Sequence, residues 1–402
     1  MKEKKIYKAV IVGGGASGLM TAVELLSGDN ALSSSDVLLV ERNDRVGKKL
    51  LATGNGQGNI TNANITENKY HGNKKFIQDF IENYNSVHLE EYFNSLGIFL
   101  TEDKDGKKYP LSKQASAVLD VFRAFLSDKN LQIQTNVKIE SITYKEGVFC
   151  LSSGSNAIFS RNVILCTGGK AGKQFGTDGF SYSLATAFNH KLTTLYPSLV
   201  QLRTQTDKIR GLKGLKEKVK LIAFDGQNEL ISTEGDLLFT DFGISGNAVF
   251  TVSPYLVNAK NPKVKIEFLP ELSLGELTDI VIKNHAKKYF STTGLLCGLL
   301  SKRVGEAVIK ASKNNTPLEI ARSVKNFWLD VTGSLGFDYA QVTKGGVNTM
   351  DVCSKTYQSK LISGLYMVGE ILDVDGDCGG FNLAFAFTSA ICSAKNIKKL
   401  LS

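Results

Sequence analysis

The stretch Val10-Ile-Val-Gly-Gly-Gly-Ala-Ser-Gly18-Leu-Met constrains this chain more than any other. An apolar run from Lys8 to Val12 stops at Gly13, and Leu19 to Leu26 then places apolar residues on one helical face. Strand, tight turn and helix are therefore predicted in succession. Gly13 permits the turn, Gly15 leaves room for a pyrophosphate to approach the backbone, and Gly18 lets helix and strand pack closely. The helix N-terminus offers unpaired N–H groups and a partial positive charge. Such a pattern is weak unless a second strand ending in an acid follows. Asp36-Val-Leu-Leu-Val-Glu41 supplies it, with Glu41 lying 23 positions past Gly18, placed to accept hydrogen bonds from a ribose diol. A dinucleotide-binding α/β fold is the expectation.

Three further stretches bear on which dinucleotide. After Glu41, Gly47-Lys48-Lys49 and Thr53-Gly54-Asn55-Gly56 bring backbone amides and lysines to where they can cover a pyrophosphate and approach the rings of a long cofactor. Asn162 to Cys166 reads as a buried strand running into Thr167-Gly168-Gly169, which permits close backbone approach. Leu365 to Val368 reads as another strand, ending in Gly369-Glu370, and a second turn then carries Gly379-Gly380-Phe381-Asn382 into an apolar helix. That second helix N-terminus suits a flavin, whose N1–C2=O edge becomes negative on reduction. A nicotinamide needs no such end. The two halves of the site lie far apart in the chain, so its ends are expected to form one FAD domain around an inserted middle.

These motifs carry a resemblance to the BaiN-like (YhiN-like) NAD(P)/FAD-dependent oxidoreductases, bacterial flavoproteins that include aminoacetone oxidase and a bile-acid-pathway reductase. Tyr109-Pro110 with Ser112 and Ala115-Ser116, Leu237-Leu-Phe-Thr240 with Gly243-Ile-Ser-Gly246, and Val342-Thr-Lys-Gly-Gly-Val347 extend it along nearly the whole sequence. The resemblance implies a Rossmann-like two-part FAD-binding domain interrupted by a β-barrel domain and a small helical domain. The boundaries expected are 1–192 and 338–402 for the FAD domain, 193–270 and 328–337 for the barrel, and 271–327 for the helices. The candidate cofactor-binding set adds Ala16, Ser17, Arg42, Leu50, Asn59, Val137 and Asp375 to the residues above. Five positions depart from the family pattern: Gln57-Gly58 stands where Arg-Cys is usual, Asp241 where His is usual, Asn247 for Pro, and Cys378 for Thr or another polar residue.

The middle of the chain agrees in outline. Residues 193 to 270 alternate in short segments such as Lys218 to Phe224, separated by Gly, Asp and Asn turns, the pattern of a small barrel or sandwich. Residues 273 to 327 have helical spacing, and strand character is expected again from Phe337 to Val342. Asp241 is a candidate acid or base because a titratable carboxylate replaces the family's His, and Tyr109 is a candidate for lining the flavin or the substrate entrance. Neither His71, His88, His190 and His285 nor the six cysteines form a recognisable triad, metal or disulfide pattern.

Composition excludes several classes. No apolar run approaches the roughly 20 residues that span a bilayer, and the opening Met1-Lys-Glu-Lys-Lys is unlike a signal peptide, so a cytoplasmic protein is expected. The net charge of +9 is spread along the chain without a run of like charges, so a nucleic-acid partner is not expected. The function expected is transfer of hydride through flavin N5 by a tightly but non-covalently held FAD, in an NAD(P)H-dependent reductase of an unsaturated hydrophobic carbonyl substrate. No second Gly-x-Gly-x-x-Gly is present, so the nicotinamide would bind transiently. Two alternatives stay open: an oxidase of a small amine that makes hydrogen peroxide, and a flavoprotein acting with RNA, for which only the basic charge speaks.

Overall fold

The computed structural model describes residues 5–287 and 289–402. Met1–Lys4, which open the stretch judged unlike a signal peptide, lie outside the described residues. The chain divides into two compact units, Met1–Tyr196 with Val342–Ser402, and Pro197–Gln341.

The first unit is built on a seven-stranded sheet. Its centre is β1 (Ile6–Val12), flanked on one side by β2 (Val37–Val40) and then β3 (Gln132–Gln134). A hairpin, β4 (Ser141–Lys145) and β5 (Val148–Ser153), leads into the long β6 (Asn156–Leu165), which lies on the other side of β1. The returning strand Leu365–Met367 pairs with the last third of β6. All four residues of β2 are buried, as are the last four of β1, because a parallel sheet is covered on both faces. Strands β1, β2, β6 and the returning strand run parallel. Their C-terminal ends therefore share one edge, the edge at which open α/β sheets bind ligands. Helix α1 (Ala16–Leu25) follows β1 directly, α2 (Ala115–Asp128) follows later, and the C-terminal helix Phe381–Leu401 packs along α1. A buried ion pair at 2.7 Å, Lys398 to Glu24, ties those two helices together. One apolar core runs through this unit.

The second unit is a closed antiparallel barrel of six strands. These are β7 (Leu202–Thr204), β8 (Lys216–Asp225), β9 (Asn228–Phe239), β10 (Gly243–Ser245), β11 (Pro262–Phe268) and β12 (Phe327–Ser334), in the order β7-β10-β9-β8-β11-β12 and back to β7. Three helices between β11 and β12, α3 (Leu274–His285), α4 (Lys302–Lys310) and α5 (Pro317–Lys325), share one apolar core with it. Helix α3 starts where Ser273 and Glu276 cap each other's backbone N–H groups. The strand expected from Phe337 to Val342 is not there: Gly336 takes a left-handed conformation, Tyr339 and Ala340 donate back to its carbonyl, and residues 337–339 are a turn. The barrel strand instead occupies Phe327–Ser334, and the next strand begins at Val342. No helix among the described residues is long and apolar enough to cross a membrane.

Candidate flavin site

Three glycines of the first turn do different work. A Cβ on Gly13 would lie 2.5 Å from the Cys166 carbonyl oxygen, and one on Gly18 would overlap the Gly13 carbonyl oxygen. Both positions hold α1 against β1 and β6. A Cβ on Gly15 would meet no heavy atom within 4 Å. Gly15 is the N-cap of α1, so this open space lies beside the unpaired N–H groups of the helix's first turn. Ser17 is buried there, and its hydroxyl lies 3.1 Å from where Gly369 would carry a Cβ.

Glu41 stands at the end of β2, only 7 % exposed. Its Oε2 accepts from Gly14 N–H at 2.7 Å, and its Oε1 accepts from the backbone N–H and the amide of Asn43 at 2.7 and 2.8 Å. The carboxylate is thus fixed beside the turn, with one acceptor site left on Oε2 for a ribose hydroxyl. Val137 donates its N–H to the Glu41 carbonyl at 2.9 Å, which ties it to the end of β2. Arg42 forks onto Asp178 at 2.7 and 2.9 Å, which holds the Asp178 carboxyl down to about 2. Arg42 thereby fastens the 170–180 loop over the end of β2.

In the segment after Gly47, the lysine charges are engaged by the protein itself. Lys48 pairs with Asp44 at 2.6 Å. Lys49 reaches Glu370 at 2.7 Å and the Ala171 carbonyl at 3.1 Å. Glu370 Oε1 accepts from Thr343 N–H, and Thr343 Oγ1 accepts from the Lys170 and Ala171 N–H groups at 2.8 and 2.9 Å. Three distant parts of the chain are knotted at that edge of the sheet. Thr343, which sits in the Val342-Thr-Lys-Gly-Gly motif, was not among the candidate site residues. Thr53 turns back to the Leu50 carbonyl, and Gly54 and Asn55 both adopt left-handed backbone, which leaves Gly54 to Gln57 exposed at the tip. Leu50 itself is buried.

The second helix N-terminus is also built with care. Gly380 caps the C-terminal helix with positive φ, and a Cβ on it would overlap the Thr61 carbonyl oxygen. With its amide turned to suit its neighbours, Asn59 accepts from Gly380 N–H at 3.0 Å and donates to the Thr61 carbonyl. Asn62 donates to the Gly379 carbonyl at 2.9 Å, and Tyr70 donates to the Phe381 carbonyl at 3.0 Å. Asn382 bonds both the N–H and the carbonyl of Gly376 at 2.8 Å, closing the turn ahead of the helix. Asn62 and Tyr70 escaped the sequence because their partners lie more than three hundred residues away. Asp375 is buried on a short strand opposite His71, and His71 meets the neighbouring Asp377 at 3.1 Å.

Tyr109 lies on the short strand Lys107–Pro110, its ring 3.4 Å from where Gly54 would carry a Cβ. Burial pushes its phenol above the usual value, and burial likewise raises the Cys378 thiol. Thr167 follows β6 beside Gly13, and its buried Oγ1 has no hydrogen-bond partner among the described residues. Gly168 and Gly169 continue the turn, Gly169 against Thr343 and Glu370. Asp241 lies in the other unit, largely exposed at the turn between β9 and β10 and ion-paired with Lys213.

Fold and site together define a Rossmann-type FAD-dependent oxidoreductase. Within that class the chain belongs to the HI0933-like family, whose model, described as the HI0933-like protein Rossmann domain, matches residues 7–396. It is 32 % identical to the 3-dehydro-bile acid delta(4,6)-reductase of Clostridium scindens, over 96 % of this chain and 97 % of that protein. It is 29 % identical to a ribosomal RNA dihydrouridine synthase of Haemophilus influenzae, over 97 % and 98 %. Among solved structures, the 3-ketosteroid-delta4-(5alpha)-dehydrogenase of Rhodococcus jostii RHA1 shares the fold at a TM-score of 0.53 and 14 % identity, over 99 % of this chain and 98 % of that one.

Proposed function

We propose that this protein reduces carbon–carbon double bonds conjugated to a carbonyl, with electrons from NAD(P)H passing through a tightly but non-covalently held FAD. The observation that carries this is the pair of helix N-termini at one sheet unit, one beside the open space at Gly15 and one set by Gly379 and Gly380. The residues fit the cofactor: a glycine that a Cβ would turn into an obstruction, two sets of unpaired helix N–H groups, and the unpartnered Thr167 hydroxyl. Bound there, FAD would supply two-electron hydride chemistry.

The chain's own groups do the rest. The first turn of α1 would hold the pyrophosphate, and Glu41 the ribose. The first turn of the C-terminal helix, held in place by Asn59, Asn62 and Tyr70, would offer its N–H groups to negative charge on the reduced cofactor. Conjugate reduction also needs a proton for the carbon next to the carbonyl. Tyr109, a phenol that burial raises further above neutral pH, is the candidate donor. Asp241 is the weaker candidate, since its carboxylate is exposed to water and already ion-paired with Lys213.

The bile-acid reductase relative supports a hydrophobic unsaturated carbonyl compound as acceptor. A second acceptor has specific support: uracil in RNA carries a double bond conjugated to a carbonyl, and both the dihydrouridine synthase relative and the net charge of +9 favour it. Turnover with NADPH or NADH should convert a 4-ene-3-ketosteroid, or uridine in RNA, to a product heavier by two hydrogens in the mass spectrum. If neither acceptor gains hydrogen while a small amine is oxidised with release of peroxide, the oxidase alternative replaces this one.

A further inference from the structure

Although no long unbroken run of like charge occurs, the positive charge clusters in one segment. Residues 203–218 hold six cations, Arg203, Lys208, Arg210, Lys213, Lys216 and Lys218, against two acids, Asp207 and Glu217. All six are exposed. The segment runs from β7 to β8 and is not a loose tail. Ile209 and Leu212 turn inward and are each 2 % exposed, and the Gly214 N–H donates to the Phe239 carbonyl at 3.0 Å. Arg303, near the start of α4, donates to the Gly211 carbonyl at 2.8 Å, so it and the exposed Lys302 join the same face.

Two of these cations have acidic partners, Lys213 with Asp241 and Lys216 with Asp236. Both pairs are exposed, and such pairs contribute little and exchange readily for a phosphate. Arg203, Lys208, Arg210 and Lys218 have no carboxylate partner among the described residues. Arg203 lies 5.8 Å from the centre of the half-buried Phe242 ring, and Lys208 donates to the Trp328 carbonyl at 2.9 Å. A row of exposed cations with the Phe242 ring beside one of them matches a ribose-phosphate backbone with a base to stack. The segment's large apolar side chains are buried or half-buried, so it has little to insert into a lipid surface.

The geometry points to the 203–218 segment with Lys302 and Arg303 as a docking surface for structured RNA. For its catalytic meaning this rests on the RNA acceptor considered above, but binding is measured apart from redox chemistry. The probe is a fluorescein-labelled RNA stem-loop, titrated with holoprotein at several salt concentrations and read by anisotropy. Binding should weaken steeply with salt, with a log–log slope corresponding to about four to six phosphates. Lys208→Glu with Arg210→Glu should weaken it at least 10-fold and make the slope shallower by about 1.5. A charge-matched control in the first unit, Lys129→Glu with Lys145→Glu, should bind as wild type while all three proteins keep their FAD and thermal stability. No binding at low salt, equal losses in the control, or equal binding to phosphatidylglycerol vesicles would each overturn the proposal. Enone reduction by a protein that ignores RNA would sink this inference alone. RNA binding by a protein that reduces no conjugated bond would sink the reductase alone.

Discussion

Gly15 and Gly18 sit three residues apart and should fail differently when changed. Gly15→Val points its side chain into the open space by α1, so the apoprotein should fold with nearly unchanged stability but lose FAD and its yellow colour. Gly18→Ala instead drives a methyl into the Gly13 carbonyl oxygen and should destabilise the protein itself by several kcal/mol, on the order of other overpacked sites. Apoprotein melting temperatures and retained flavin distinguish the two, and a yellow Gly15→Val protein would refute the pyrophosphate assignment. Glu41 shows how far single residues were legible. Its place at the end of an apolar strand named it from spacing alone. Its bond to Gly14 N–H, which fixes where it points, depends on two strands lying side by side and left no mark in the sequence.

Elements whose signal is local were readable, and those defined by distant partners were not. Strand β1, its turn and α1 follow from a contiguous pattern, although the helix begins at Ala16 rather than Leu19. The closing strands of the barrel, β7 and β10, are three residues each and too short to show a period. The run around Phe337 looked like a strand because its apolar residues alternate, but Gly336 turns it back on itself. The bridge from Lys49 to Glu370 joins positions 321 apart and was invisible for the same reason. Both side chains are mostly buried, so Lys49→Met and Glu370→Gln should each lower stability, and a double-mutant cycle should return a coupling of about 1 kcal/mol. Additive losses would show that the bridge does not couple those segments.

His190 gives the same unit a pH dependence of known sign. It is 2 % exposed, its Nε2 meets Ser359 Oγ at 2.8 Å, and burial lowers its pKa below the ordinary value of about 6.5. The unfolded chain therefore binds the proton more readily than the folded one. Its contribution is present above about pH 6.5 and is lost as pH falls through the folded value. Melting temperature should drop between pH 7 and pH 5 in the wild type, and His190→Gln should flatten that step. An equal drop in the variant would assign the acid sensitivity elsewhere.

At the scale of the whole molecule, the chain has two apolar cores, and the second belongs to a continuous segment. Residues 197–341 expressed alone should fold with the circular dichroism of a β-rich domain, since the barrel closes without help from the rest. In the intact protein, saturating FAD at 100 times its dissociation constant should raise one of two calorimetric transitions, by about 2.7 kcal/mol of stability. A fragment that stays unfolded would mean that the barrel depends on the flavin unit. The proposed flavin site, by contrast, draws on both ends of the chain, which fold together as one unit.

The most direct measurement is anaerobic mixing of the yellow protein with NADPH or NADH, followed by a conjugated enone before any oxygen is admitted. The blue absorption of the oxidised flavin should bleach with one of the nicotinamides and return when the enone is added, with stoichiometric saturated product. A flavin that neither nicotinamide bleaches, or that once reduced recovers only with oxygen, would contradict the reductase.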